Sequence, residues 1–440
     1  MKNKKINVVG AGLAGCEIAY QLAKRGLSVN LYEVKQVKKN PVQNLDSFAE
    51  LVCSNSFRSK SVENASGILK EELKMLDSLI IKAALASAIS ADDALAVDRQ
   101  LFSNYVTQQL GNNPNITIHH TEFETINPRD ITIIASGPLT TEKLQQELTK
   151  IIGKKALYFY DASAPIITKE NIDFTKVYYQ ALHSAAKDYL VCPLSEHEFN
   201  LLHQELVNAS TVALKEFEKY FKGCQPIEVL AKQSKKLLLN GPMSPNYLQD
   251  DHGNLPYAVV QLRKDNLIDT LYNIVGWQTN LTWPEQKRII NNFIPGLAKV
   301  DIVRYGVLHK NNYINSPKLL NQSLQLKQNP NIFFAGQITG VEGYLESTAS
   351  GLYCALNVYQ YYHHQKPLLF PPTTVLGSLM NYVTNPRQKN LKPMKANIGI
   401  IPVLGQSYDS KKAKNLAIYD RAMQALATLI SDNNILNPSC

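Results

Sequence analysis

INVVGAGLAGCEIAYQLAKRGLSVNLYE, residues 6–33, sets the architecture of the chain. Ile6–Gly10 reads as a short apolar strand, and Leu13, Ala14, Ile18, Leu22 and Ala23 then mark one face of a helix over Leu13–Arg25. Gly26 ends the helix, Leu27–Tyr32 is a second strand, and Glu33 closes it. Between strand and helix stands Gly10-Ala11-Gly12-Leu13-Ala14-Gly15. In a βαβ unit the first glycine permits a tight turn and the second leaves the backbone open to a pyrophosphate. The third lets the helix pack close on the strand. Free amides at the helix N-terminus then meet the phosphates, and Glu33, 18 residues after Gly15, is placed for ribose hydroxyls. The stretch also ends an apolar run in LAGC (13–16), which mimics a lipoprotein processing site. Asn7, Gly10 and Gly12 interrupt that run, and a buried strand entering a glycine turn fits it better.

A third strand, Ile131–Ala135, runs into Ser136-Gly137-Pro138, and a fourth, Asn331–Gly336, meets another glycine before a helix from Glu346 to about Tyr361. Flavoproteins that begin with this turn bring a second strand–glycine element back to the flavin, and FFAGQITG (333–340) has that form. The cofactor is therefore read as FAD, with Gly137, Gly336, Gln337 and Gly340 beside the turn as its contacts. Between these elements the texture changes: Ser195–Phe221 reads as helices, and β-branched and aromatic runs follow at 256–262 and 271–283. The fold class expected is α/β. A Rossmann-like, glutathione-reductase-like FAD-binding domain (1–180 and 325–440) is interrupted by an inserted α+β domain (181–324).

At 440 residues the chain is long enough for two cores, and its 45% hydrophobic content is that of a globular protein. It lacks an uninterrupted apolar run of about 18 residues, so no membrane partner is expected. Six cysteines (16, 53, 192, 224, 354 and 440) form neither a CxxC pair nor a zinc spacing, so no metal is expected. Scattered thiols of this kind suit a reducing, cytoplasmic compartment. The net charge is +9. Eight cations (Arg387, Lys389, Lys392, Lys395, Lys411, Lys412, Lys414, Arg421) face only Asp409 and Asp420 in 386–421, so that segment supplies +6 of it. A concentrated basic segment suits a polyanion such as RNA.

Longer blocks carry a resemblance. GAGLAGCEIAYQLAKRG (10–26), FAELVCSNSFRS (48–59), ALAVDR (94–99), FKGCQPIEVLA (221–231), PYAVVQLR (256–263), LYNIVGWQT (271–279), VRYGVLHKNNYINSPKLL (303–320), FFAGQITGVEGYLESTASG (333–351) and LKPMKANIGIIP (391–402) occur in family order. Together they resemble the folate- and FAD-dependent tRNA (uracil-5-)-methyltransferases from the first strand to about residue 402. The resemblance implies that 5,10-methylenetetrahydrofolate supplies a one-carbon unit, that FAD carries and reduces it, and that NADPH or NADH restores the flavin. It implies 5-methyluridine as product, with the T-loop uridine of tRNA (position 54) as default target.

Uracil C5 is a poor nucleophile until a thiolate adds at C6, and a second group must later remove the C5 proton. Cys53 and Cys224 match the cysteines the family uses; Cys224 is assigned to C6 and Cys53 to the base or the flavin side. Either thiol would need its pKa lowered, for which Arg58 or a turn amide is a candidate, while Cys16, Cys192 and Cys354 read as packing. Arg99, after Asp98, is expected near the flavin. Tyr344 and Glu346 are expected near the pterin, and Arg304, Tyr305 and His309 toward substrate. The chain departs from the family pattern over 178–193 and at Lys222, Gln225, Lys310 and Asn312. These departures keep open two alternatives, the same chemistry on 23S rRNA and a flavoprotein paralogue that binds RNA or a partner without methylating.

Overall fold

A computed structural model describes residues 4–40, 42–153, 156–180, 188–212, 225–245, 248–249, 253–388 and 391–436, leaving aside the side chains of 156–162 and 308–311. The glycine turn sits at the centre of a five-stranded parallel sheet. Its order is Ile332–Phe334, Ile131–Ile134, Ile6–Val9, Val29–Tyr32, Ile116–His119. Ile6–Val9 and Ile131–Ile134 are buried at every position, as central parallel strands covered on both faces must be. Strand Ile6–Val9 pairs with Val29–Tyr32 on one side and Ile131–Ile134 on the other, so the turn after Val9 opens at the carboxyl edge of the sheet.

Helix Leu13–Lys24 starts from that turn and packs along helix Tyr344–Tyr362. The approach is close because Gly351 has no side chain; a Cβ there would stand 2.6 Å from the Ala14 carbonyl oxygen. Helix Tyr344–Tyr362 begins two residues before the expected Glu346. Gly343 at φ +118 turns the chain into it, a backbone state that favours glycine.

A second core lies under a six-stranded antiparallel sheet ordered Tyr178–Gln180, Tyr189–Leu194, Ala258–Lys264, Leu271–Ile274, Ile166–Thr168, Ile302–Arg304. Phe199 and Leu202 of helix Glu196–Asn208 and Ile289 and Ile290 of helix Trp283–Phe293 bury against it, around Tyr272 and Trp277. Ser195 and Glu198 close a reciprocal cap on the first of these helices. The remainder of the expected helical stretch, 213–221, falls outside the described residues. Strands Ala156–Ala162 and Leu308–Ile314 pair as a two-stranded ribbon, and Ser56–Ser59, Ala94–Val97 and Ala88–Ile89 form a small sheet.

Helix Lys411–Asp432 closes the first core against helix Ala65–Met75, pinned by Asn415 to the Glu63 carbonyl (2.9 Å) and by the Lys412–Glu63 ion pair (2.8 Å). Among the described residues no helix is long and apolar enough to cross a membrane.

Candidate active site beside the glycine turn

A cavity of about 410 Å³ runs along the turn, from Glu33 at one end to Tyr344 at the other. The glycines divide the work of shaping it. Gly10 takes φ +101, and a Cβ on it would stand 2.7 Å from the Ala135 carbonyl oxygen. A Cβ on Gly15 would lie 1.8 Å from the Gly10 carbonyl oxygen, so the third glycine closes helix on strand. Gly12 is different: it is exposed, lines the cavity, and a Cβ there would meet nothing within 4 Å.

As the N-cap of helix Leu13–Lys24, Gly12 supplies no side-chain acceptor, which leaves first-turn amides available to a phosphate. Glu33 lines the same cavity, with Oε2 accepting from the Ala11 amide (2.7 Å) and Oε1 from the Lys35 amide (2.8 Å). Those bonds orient a carboxylate whose remaining lone pairs suit hydroxyl donors. Gly137, at φ +66, and Gly336, at φ +77, line the opposite wall with Gln337, whose amide donates to Glu342 (2.8 Å). These features fit an extended dinucleotide. Gly340 turns the chain at φ +90 against Leu391 and lies off the cavity wall.

Residues 42–55 form a wall between this cavity and a second one of about 490 Å³; Glu50 lines both. Two arginines hang the wall. Arg99 pairs through Nε with both oxygens of Asp265 (3.1 and 3.0 Å), and donates to the Leu51 carbonyl and to the Cys53 carbonyl (3.1 Å). Burial acts against its charge, but Asp265, Tyr344 and Cys53 more than offset this and hold its pKa above the ordinary arginine value. Arg304 donates to the Val42 carbonyl (2.9 Å) and to the Val52 carbonyl. Burial and the neighbouring Arg99 push its pKa down.

The Cys53 amide donates to the Tyr344 hydroxyl (2.8 Å). Burial, reinforced by Cys53, pushes the Tyr344 phenol up, so it keeps its proton. Cys53 is thus half-buried, beside the cavity-lining Val52, with its backbone held on both sides. Beyond it Ser54 and Asn55 receive Arg263 from the second sheet (3.0 and 2.9 Å).

Arg58 is engaged elsewhere. It adopts φ +64 and its guanidinium pairs with Glu346, which is wholly buried and also accepts the Ala396 amide (2.7 Å). The cation against the Cys53 backbone is Arg99, a role its place in the sequence did not reveal. Below the Arg58 strand lies Lys70, 2% exposed, donating to the Ser59 carbonyl (2.7 Å) and the Ser66 carbonyl (3.2 Å). Burial first, and then Arg58, lower its pKa from 10.5 to about 7.

A lysine with a lowered folded-state pKa favours the folded chain fully above the unfolded value near 10.5, and that contribution is lost as pH falls through about 7. The stability of wild type relative to Lys70→Met should therefore rise with pH between 7 and 9, at up to about 1.4 kcal/mol per pH unit. Urea melts at several pH values check this, and a difference that does not change with pH contradicts it.

The other expected positions separate. Tyr305 stacks on Trp283 at the surface. His309 lies on strand Leu308–Ile314, but its side chain, like all of Cys224, lies outside what the structure describes. The chain on either side of the Cys224 segment is anchored together: the Val212 amide donates to the Asn280 carbonyl (2.9 Å) and the Ile227 amide to the Gln278 carbonyl (2.7 Å). Cys16, Cys192 and Cys354 are fully buried, and burial pushes each thiol well above its ordinary range. Sequence reasoning missed Asp265, Arg263 and the buried Lys35–Glu50 pair (3.3 Å). Only the polar run after Cys53 signalled that this loop seeks hydrogen-bond partners.

Comparison with known proteins bears on what this arrangement serves. The family model of glucose inhibited division protein A matches residues 5–366. The methylenetetrahydrofolate–tRNA-(uracil-5-)-methyltransferase TrmFO 1 of Mesoplasma florum is 57% identical over 90% of this chain and 91% of its own length. The like-named protein of Listeria innocua is 49% identical over 96% of this chain and 98% of its own. Among solved structures, GidA of Aquifex aeolicus superposes with a TM-score of 0.72 at 15% identity, covering 98% of this chain and 74% of that one.

Proposed function

The chain belongs to the glucose inhibited division protein A family and, within it, to the methylenetetrahydrofolate–tRNA-(uracil-5-)-methyltransferases; from that membership we propose that it converts the T-loop uridine of tRNA (position 54) to 5-methyluridine, with FAD as its bound cofactor. The observation that carries the reading is the position of Cys53: it follows Val52, which lines the cavity at the glycine turn, and its loop is held by Arg99, Arg304 and Tyr344.

The glycine turn and Glu33 would hold FAD, with Gly137, Gly336 and Gln337 on the facing wall. When bound, FAD supplies one-carbon transfer and hydride chemistry, with methylenetetrahydrofolate as donor and NADPH or NADH as reductant. The chain's own residues do the rest. The Cys224 thiolate adds to uracil C6, which makes C5 nucleophilic. After the one-carbon unit is attached, the Cys53 thiolate takes the C5 proton, and departure of Cys224 restores the C5–C6 double bond.

Arg99 steadies the Cys53 peptide and its positive charge favours the thiolate. Tyr344, protonated, fixes the loop and keeps a hydroxyl proton to donate toward pterin or uracil. Glu346, buried, acts by holding Arg58 in place. The unit built on the antiparallel sheet, which takes in Ile166–Thr168 and Tyr178–Gln180 ahead of the expected boundary at 181, and the basic segment 386–421 are assigned to RNA.

Incubating flavin-loaded protein with methylenetetrahydrofolate, NADPH and unmodified tRNA or 23S rRNA transcripts tests the target. 5-Methyluridine in tRNA alone is expected. Its appearance only in 23S rRNA would move the assignment there, and flavin-loaded protein that modifies neither would favour a non-methylating paralogue.

A further inference from the structure

Of the chain's two tryptophans, Trp277 is buried at 2% exposure and Trp283 is 58% exposed. An open indole is expensive to hydrate, yet this one is built into place. It lies parallel to Tyr305, with ring centroids 5.1 Å apart and planes 13° from coplanar. Trp283 opens helix Trp283–Phe293 with Pro284 behind it, which fixes the direction of the backbone. One turn on, the buried Gln286 amide donates to the Gly306 carbonyl and its oxygen accepts the Gly306 amide, both at 2.8 Å. That reciprocal pair locks the segment carrying Tyr305 against the helix carrying Trp283. Tyr305 covers one side of the indole and leaves the outer side to solvent.

Position gives the stack a use. Arg304, the residue before Tyr305, reaches the Val52 carbonyl next to Cys53. Gln278 and Asn280, just before Trp283, anchor the described ends of the Cys224 segment. Lys287 lies four residues after Trp283, on the same helical face, exposed and without a carboxylate partner among the described residues. An aromatic plate with one free face and a cation beside it matches a nucleobase and its phosphate.

Resting on the methyltransferase reading, we propose that Trp283 is the outer plate of a Trp283–Tyr305 stack that receives an unpaired base of the substrate RNA beside the target uridine, with Lys287 taking an adjacent phosphate. Every base offers a π-face, so this contact supplies affinity and orientation with little sequence preference.

The test titrates flavin-loaded protein with unmodified tRNA transcript while following tryptophan fluorescence. Because Trp277 is buried, the quenching expected on binding reports Trp283. Trp283→Ala should abolish that quenching, weaken transcript binding by about 5- to 100-fold and raise KM for RNA by a similar factor. Flavin content confirms that the variant is folded. Trp283→Phe should recover most of the affinity, and Lys287→Ala should reduce the slope of log Kd against log salt by about 0.7. Wild-type affinity in Trp283→Ala, or binding without quenching in wild type, overturns the proposal. Quenching without any 5-methyluridine would uphold the plate and sink the methyltransferase reading; full methylation with an unchanged KM in Trp283→Ala would do the reverse.

Discussion

Replacing Cys224 by alanine should abolish methylation, by about 10³-fold or more, while the protein keeps its FAD. The size of the effect follows from the substrate. C5 of uracil carries little nucleophilic character while the C5–C6 double bond is conjugated, and no hydrogen bond from the protein substitutes for covalent addition at C6. Cys53→Ala should also be severe, on the order of 10²- to 10⁴-fold, because the C5 proton would lack its base. The two variants should fail at different points. Cys53→Ala permits addition at C6 and should leave protein joined to RNA, visible as a denaturation-resistant band of low mobility. Cys224→Ala should give no such band. A band in Cys224→Ala and none in Cys53→Ala would exchange their roles, and undiminished turnover in both would remove thiol chemistry from the account.

Gly12→Val should leave the chain folded and strip it of flavin, whereas Gly15→Ala should lower the melting temperature of the chain. A Cβ at Gly12 meets no protein atom within 4 Å and the backbone there has ordinary extended angles, so the backbone of the fold accepts a side chain there. That same side chain would project into the cavity where the pyrophosphate has to approach, and flavin affinity should fall at least about 100-fold. At Gly15 an added methyl collides with the Gly10 carbonyl oxygen, backbone against backbone in the buried core, for a loss of roughly 1–3 kcal/mol or more. Flavin absorbance and thermal melts, measured together, separate the two. Full flavin in purified Gly12→Val would contradict the assignment of this cavity.

The parallel sheet was legible because its signals are local. Strand, glycine turn, helix and acid occupy residues 6–33, and Ile131–Ile134 and Ile332–Phe334 stand out as short apolar strands that run into glycines. The arginines that position Cys53 were not legible in the same way. Arg99 finds Asp265 across 166 residues of sequence and Arg304 finds Val52 across 252, and no periodicity encodes such a meeting. Arg58, nearest to Cys53 in sequence, was the natural candidate for its cation. The positive φ of Arg58 instead accompanies a guanidinium paired with the buried Glu346, and the cation at the Cys53 peptide comes from another element. The Trp283–Tyr305 stack likewise joins a helix start to a strand end that are neighbours only in the folded chain.

The most direct measurement follows the carbon. Flavin-loaded protein is given methylenetetrahydrofolate labelled in its methylene group, NADPH and unmodified tRNA transcript, and the nucleosides are then resolved by mass spectrometry. The account predicts labelled 5-methyluridine, in an amount approaching one per tRNA and mapped to the T-loop. Flavin-loaded protein that leaves the transcript unlabelled, or that methylates it only from another donor, would contradict it.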